Sequence, residues 1–361
     1  MEETKYLLGF SLIPGFNFSK LEKLLEVFDP TSAWKANLPE LTSAGFSEPE
    51  AQKIIIERSK IDINKELEKI TEQKIEIVTI KDATYPKKLK EIFNPPIILY
   101  YRGNISCLNK ICLSVVGARK HTQYGQEVAT KIIPPLVEAG MTIVSGLALG
   151  IDALAHQATV DSNGLTAGVL GSDLDFKNIG PRTNFNLALE IIEKNGCLIS
   201  EFPLGVHADK TTFPQRNRII AGLSDATLVI EAGESSGTLI TAYYALEQNR
   251  DVFAVPGNIF SEYSQGTNNL IKKGAKLISQ AEDILSELNF QTVIKFKEAK
   301  APEITDETEK IIYEILTRQP LHLDKLAEIS NIRFDLLNAK LMILELNGLV
   351  KNIGGGNYIK I

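Results

Sequence analysis

Nine consecutive residues, Lys210-Thr211-Thr212-Phe213-Pro214-Gln215-Arg216-Asn217-Arg218, hold three cations, two amides and an aromatic ring. Guanidinium groups offer forked donors that fit phosphodiester oxygens, and a phenyl ring offers a flat apolar face for a base. That mixture suits a groove for single-stranded nucleic acid. The competing reading is a solvated charged loop with Phe213 turned into the core, and one of Arg216 and Arg218 is expected to make a structural ion pair. Three glycine-bearing segments supply a second signal: Val115-Val116-Gly117-Ala118-Arg119-Lys120, Ser145-Gly146-Leu147-Ala148-Leu149-Gly150-Ile151-Asp152 and Glu231-Ala232-Gly233-Glu234-Ser235-Ser236-Gly237-Thr238. Glycine lets a backbone approach a ligand closely, and helix N-termini offer unpaired N–H groups to anions. Three such loops together with Arg119-Lys120 favour an anion site. None matches GxGxxG or GxxxxGK[ST], so neither a standard dinucleotide site nor a Walker loop is supported.

Catalytic patterns are weaker. The four histidines (His121, His156, His207, His322) form no HxxxH or HExxH pair, and there is no GxSxG elbow. His156 follows Asp152 by four residues on an expected helix, where the two could hydrogen-bond; capping and packing is the favoured role. Asp173 and Asp175 follow a strand and read as turn formers rather than metal ligands. Three cysteines (Cys107, Cys112, Cys197) are too few and too scattered for a disulfide scaffold or a CxxC zinc site. No catalytic residue, metal or cofactor is expected.

The elements that must position these residues follow from periodicity. Residues 1–65 read as a helical module, with Leu21, Leu24, Leu25 and Phe28 at helical spacing and glycine turns at Ile13-Pro14-Gly15-Phe16 and Ser43-Ala44-Gly45-Phe46. Such short helices resemble helix-hairpin-helix or SAM-like modules, although the segment is not notably basic. Residues 66–288 read as an extended α/β domain. Ile75–Thr79 and Ile97–Tyr101 are strand-like, and Asn94-Pro95-Pro96 stops a short helix between them. Apolar runs at Ile111–Val116, Met141–Val144, Thr166–Leu170, Cys197–Ser200, Ala226–Ile230 and Asp251–Val255 alternate with helical stretches. That alternation predicts a doubly wound, mostly parallel sheet buried on both faces, with ligands at the carboxyl ends of its strands. Residues 289–302 read as a linker. Within residues 303–361, helices at Thr308–Leu316, Leu323–Ile329 and Phe334–Asn347 precede a hairpin around Gly354-Gly355-Gly356, a winged-helix-like outline.

Length and charge bound the reading. The 361 residues suggest two or three domains at roughly 100–200 residues each. No run reaches the about eighteen apolar residues a membrane helix needs, and Met1–Phe10 carries two glutamates where a signal peptide would be basic. No membrane association and a cytoplasmic location are expected. With 39 basic and 45 acidic side chains, the chain is no polycation, so nucleic-acid binding must rest on a local patch. Residues 306–361 hold seven Lys/Arg and eight Asp/Glu, which points the winged-helix-like region to protein interaction or structure rather than base reading.

Tyr85-Pro86, Val116-Gly117-Ala118-Arg119, Tyr124-Gly125, Ser145 to Asp152, Ala155-His156, Phe213 to Leu223, Ser236-Gly237-Thr238, Thr241-Ala242 and Val255-Pro256-Gly257 together resemble the DNA processing family DprA, also called Smf. The resemblance runs in order from about residue 75 to 280. It implies a Rossmann-like domain that binds single-stranded DNA, dimerises, and loads RecA recombinase onto incoming DNA in natural transformation, without enzymatic turnover. It implies DNA contacts from Arg119, Lys210, Phe213, Arg216 and Arg218, with polar or backbone contacts from Ser145, Gly146, Asn217, Gly237 and Thr238. The chain departs from the family pattern at Gly171–Asp175 and Ile179-Gly180-Pro181, which weakens any role for Lys177 or Arg182. Two rival readings remain. The sheet is also similar to that of LOG-type phosphoribohydrolases, but Thr241 stands where their glutamate does, and threonine cannot supply a carboxylate. A winged-helix transcription regulator is the other.

Overall fold

The computed structural model describes residues 2–288, 306–317 and 319–360. The chain divides into two compact units, Met1–Thr292 and Val293–Ile361.

The first unit begins with six helices, α1 (Glu2–Ser11), α2 (Phe18–Leu25), α3 (Pro30–Lys35), α4 (Leu38–Ser43), α5 (Glu48–Ser59) and α6 (Ile63–Glu72). Their starts are written in the sequence: Asn17, Asp29, Asn37 and Asp62 each accept a backbone N–H of the first turn. Phe10 anchors the group, stacked on Phe16 at 4.9 Å and edge-on to Trp34 at 5.1 Å. The helices do not close a core of their own. Leu7, Leu8, Phe10 and Leu21 belong to the same buried cluster as Ile98, Leu99 and Tyr100 of the adjoining strand. A division at 65/66 falls inside α6.

Strand β1 (Glu76–Thr79), the short helix α7 (Lys87–Lys90) and strand β2 (Ile98–Gly103) follow. The parallel part then alternates: β3 (Cys112–Val116), α8 (Gln123–Glu138), β4 (Thr142–Ser145), α9 (Ile151–Asp161), β5 (Leu165–Val169), α10 (Phe185–Glu193), β6 (Cys197–Ser200), α11 (Thr212–Gly222), β7 (Ala226–Val229), α12 (Thr238–Glu247), β8 (Asp251–Ala254), α13 (Gln265–Lys272), β9 (Lys276–Leu277) and α14 (Ala281–Glu287). Every residue of β3, β4, β6 and β7 is buried, as expected for strands covered by helices on both faces. Each of the six apolar runs predicted between Ile111 and Val255 is a strand to within one residue at either end.

The sheet order is β1-β2-β6-β5-β4-β3-β7-β8-β9. Strands β3 to β9 pair in parallel, whereas β2 joins antiparallel to β6 and β1 antiparallel to β2. The chain winds outward from β3 to β6, then returns to lay β7 on the other side of β3. The carboxyl ends of β3 and β7 are therefore the switch point, where crossovers leave in opposite directions and open a crevice.

One expectation is corrected. The cationic stretch 210–218 is not a loop: from Thr212 onward it is the first turns of α11. Asp209 starts the helix by accepting Thr211 N at 2.7 Å and Thr212 N at 2.9 Å, and Pro214 lies in the first turn, where proline costs no hydrogen bond.

The second unit has α15 (Glu307–Ile315), β10 (Leu321–His322), α16 (Leu323–Ser330), α17 (Phe334–Leu346), β11 (Val350–Gly354) and β12 (Asn357–Lys360), with strand order β10-β12-β11. Ile312, Leu326, Leu337, Leu341 and Leu344 form its own core. Lys340, the one cation within α17, is tied to Asp306 at 2.5 Å and Glu309 at 2.9 Å. The expected linker at 289–302 lies outside the described residues.

Candidate nucleic-acid interface

A cleft of about 660 Å³ occupies the switch point. Its walls are the turn after β3 (Gly117 to Lys120), the first turns of α11 (Phe213, Arg216, Asn217, Ile220) and the loop entering α12 (Gly233, Ser236, Gly237, Thr238), with Lys210 at the edge. A second cavity of about 250 Å³ lies behind, lined by Gly146, Leu170, Gly171, Gly180 and Pro181. Arg119, Ala148, Phe213 and Arg216 line both cavities and so form the partition between them.

The partition is a stack. The Arg119 guanidinium carbon sits 4.9 Å from the centre of the Phe213 ring, and that of Arg216 sits 5.8 Å from it. Arg119 and Lys210 are exposed and Phe213 is half-buried. Phe213, Arg216, Asn217 and Ile220 share the cleft because spacings of three, four and seven residues put them on one helix face.

The two arginines facing Phe213 have different tasks. Arg216 is 4% exposed, and its Nη1 donates to the carbonyls of Gly146 at 2.6 Å and Val169 at 2.5 Å. It thus ties together the ends of β4 and β5. Gly146 is required here, since a Cβ at that position would lie 2.5 Å from Arg216 Nη1. Burial pulls the Arg216 pKa down to about 10 while Asp152 pushes it back, so it remains a cation at neutral pH. Asp152 is itself buried; burial raises its carboxyl above the ordinary value and Arg216 opposes the rise. The carboxylate accepts Gly146 N at 3.1 Å, closing the loop onto the arginine.

Asp152 and His156, four residues apart on α9, do not hydrogen-bond to each other, and His156 has the favoured packing role. His156 is fully buried and its Nδ1 pairs with Thr166 Oγ1 at 2.6 Å. Burial, then the charge of Arg216, lower its pKa to about 3, so it is a neutral packing residue.

Other expected contacts separate into two groups. Gly237 is exposed at the entrance to α12, and Thr238 Oγ1 donates to Gly117 O at 2.9 Å, which joins the β3 turn to α12 across the cleft. Ser145 and Arg218 are not brought to the cleft. Ser145 is buried with its hydroxyl donated to Val115 O at 2.6 Å. Arg218 pairs with Glu201 and lines a separate cavity with Phe93 and Gln215. Two residues along a helix turn roughly 200°, so Arg218 faces away from Arg216. It is the expected structural ion pair, whereas Arg216 is held by carbonyls.

Asp173 forms turns: it accepts Asp175 N, Asn178 Nδ2 and Gly205 N. Arg182 stacks on Phe185 at 4.3 Å and donates to Phe176 O. Thr241 lines the cleft as a buried hydroxyl, not an acid. Motif reading missed Glu231, whose carboxylate accepts Thr122 N at 2.9 Å and Thr122 Oγ1 at 2.5 Å and so fixes the start of α8. It also missed Glu262 and Tyr263, which reach the cleft from the loop after β8. Glu231 is the second residue past β7, a position that marks it for a strand-end role; Glu262 carries no such signal.

The sheet and its cleft define a Rossmann-like α/β protein with cationic and aromatic groups at the switch point, followed by a winged-helix unit. A family model described as DNA recombination-mediator protein A matches residues 76–289, and one described as the DprA winged helix domain matches residues 296–356. Protein Smf of Synechocystis sp. is 34% identical, over 99% of this chain and 98% of its own length. DNA processing protein A of Streptococcus pneumoniae superposes with a TM-score of 0.68 at 34% identity, covering 80% of this chain and 98% of that one. The Helicobacter pylori protein of the same name, solved for its single-stranded DNA binding mode, superposes at 0.53 with 28% identity, covering 60% and 97%. The chain belongs to the DNA recombination-mediator protein A family, DprA or Smf.

Proposed function

We propose that this protein holds single-stranded DNA in the switch-point cleft without transforming it chemically, and that as a cytoplasmic homodimer it passes the strand to RecA recombinase in natural transformation. The observation that carries the reading is the exposed Arg119 resting on Phe213 in a cleft edged by Lys120 and Lys210. In the free protein Arg119 covers one face of the ring, an interaction worth about 0.5–1 kcal/mol at an exposed site. A phosphate draws the guanidinium off the ring, and a base takes its place at about 1–3 kcal/mol. The exchange is downhill without distortion of the fold. Lys210 neutralises a neighbouring phosphate, while Asn217, Thr238 and the backbone at Gly146 and Gly237 add polar contacts. Arg216 holds the floor of the site. The single-stranded DNA mode described for the Helicobacter pylori relative supports the same ligand class.

The test is fluorescence anisotropy with single- and double-stranded DNA over a salt series. Single strands should bind more tightly, with a log–log slope of roughly −0.7 per phosphate neutralised. Equal affinity for duplex, or no salt dependence, would overturn the reading. Handover is tested by the rate of RecA filament formation on single strands with and without the protein; no acceleration refutes it. Sustained release of base or phosphate from nucleotides by the purified protein, lost on substitution in the cleft, would refute the non-enzymatic assignment.

A further inference from the structure

The loop joining β8 to α13 presents Ile259 at 76% exposure and Phe260 at 88%. Two large apolar side chains in water invite an explanation when the backbone beneath them is fixed. Here it is fixed at nearly every residue. Tyr124 Oη donates to Pro256 O at 2.7 Å. The Asn268 side chain accepts Gly257 N at 3.2 Å and donates to Gly257 O at 3.0 Å. Asn258 accepts Phe260 N on its side chain and Ser261 N on its carbonyl. Tyr263 O accepts Ala232 N at 2.8 Å, locking the loop to the segment after β7. Glu262 and Tyr263, next along, already line the cleft.

Resting on the proposed single-strand function, we infer that Phe260, backed by Ile259, is a second base-stacking platform where the strand leaves the cleft. Three observations select this occupant. The loop is continuous with the cleft wall. A pre-set aromatic ring costs little entropy to use, and stacking accepts any base. The charges divide by segment: Arg119 and Lys120 stand on the β3 turn and Lys210 before α11, whereas Glu262 stands two residues after Phe260 and Glu234 on the segment after β7 to which the loop is bonded. Phosphates are drawn to the first set and repelled from the second, which turns the bases toward Phe260. Glu262 is an acceptor that suits base amino groups, not phosphates.

The experiment compares wild type, Phe260→Ala and Arg119→Ala with an oligo-dT of about 4 nucleotides, enough for the cleft, and one of about 20, long enough to reach the loop. Phe260→Ala should weaken the long strand about fivefold or more, leave the short one and the salt slope unchanged, and keep the wild-type melting temperature. Equal affinity for both lengths relative to wild type would overturn the platform while leaving the cleft intact. Loss of self-association by sedimentation without DNA, with unchanged binding per protomer, would reassign Phe260 to a protein contact and overturn it too. If Arg119→Ala binds both lengths as wild type does, the failure belongs to the cleft itself.

Discussion

Two arginines contact the same phenyl ring, and the structure assigns them opposite modes of failure. Arg216→Ala removes the donor that bridges the Gly146 and Val169 carbonyls and the counter-charge of a buried Asp152. Stranding a buried charge in this way costs about 3–5 kcal/mol. For a unit of this size the melting temperature should fall by roughly 6–15 °C. The deficit should depend on pH in a definite direction. Without Arg216 the largest influence on Asp152 is still burial, which raises its pKa, and the strongest opposing influence is gone while the backbone hydrogen bonds from Gly146 and Ala148 remain. The folded state then holds the proton more tightly than the unfolded chain, so stability falls as pH rises from the ordinary carboxylate value through the raised one. The Arg216→Ala deficit should therefore be smaller near pH 5 than near pH 8. Arg119→Ala removes an exposed side chain, so melting should stay within about 1 °C while DNA affinity drops and the salt slope flattens by about one phosphate. Scanning calorimetry at both pH values with anisotropy titrations separates the roles. An Arg216→Ala protein that melts like wild type yet loses DNA would make Arg216 a ligand rather than the floor.

Phe213→Ala should weaken single-strand binding roughly 5- to 100-fold with an unchanged salt slope; a folded variant with normal affinity would return the ring to the core. Gly146→Ala should displace the Arg216 guanidinium and cost about 1–3 kcal/mol, read from the denaturation midpoint; an unchanged midpoint would contradict the close approach. His156 makes wild-type stability pH-dependent. Its folded pKa is about 3 against 6.5 for the free side chain, so the unfolded chain binds the proton first. That contribution is complete above pH 6.5 and declines as pH falls toward 3, with about 2 kcal/mol lost by about pH 5. Denaturant unfolding of His156→Gln should lack this decline; an identical pH profile would rule the histidine out as its source.

The strands were legible because each is a run of apolar residues covered on both faces, and that pattern needs no tertiary information. Arg119 was legible because it stands in the glycine-bearing turn that follows a strand, three residues past the end of β3. The α11 residues were misread in conformation: Asp209 and Thr211 mark a helix start and Pro214 is allowed in a first turn, but the charged composition favoured a loop. A helical reading would have set Arg218 on the far face and shown that only Arg216 accompanies Phe213. What no local pattern carries is the destination of Arg216. Its carbonyl partners lie 70 and 47 residues away and meet it only because β4 and β5 are neighbours. The same holds for Glu262, which reaches the cleft through a loop from β8.

The shared core of the N-terminal helices and strand β2 bears on how the protein can be cut. The family model of the α/β domain begins to match at residue 76, an inviting place to start an expression clone. Such a clone would strip away Leu7, Leu8, Phe10 and Leu21 and leave the apolar cluster around Leu99 and Tyr100 facing water. The border of the matched domain and the border of the folding unit thus differ on the left-hand side. Limited proteolysis should find few productive cuts between α6 and β1, and a shortened product should aggregate through the uncovered β1–β2 ribbon rather than behave as a smaller DNA-binding core.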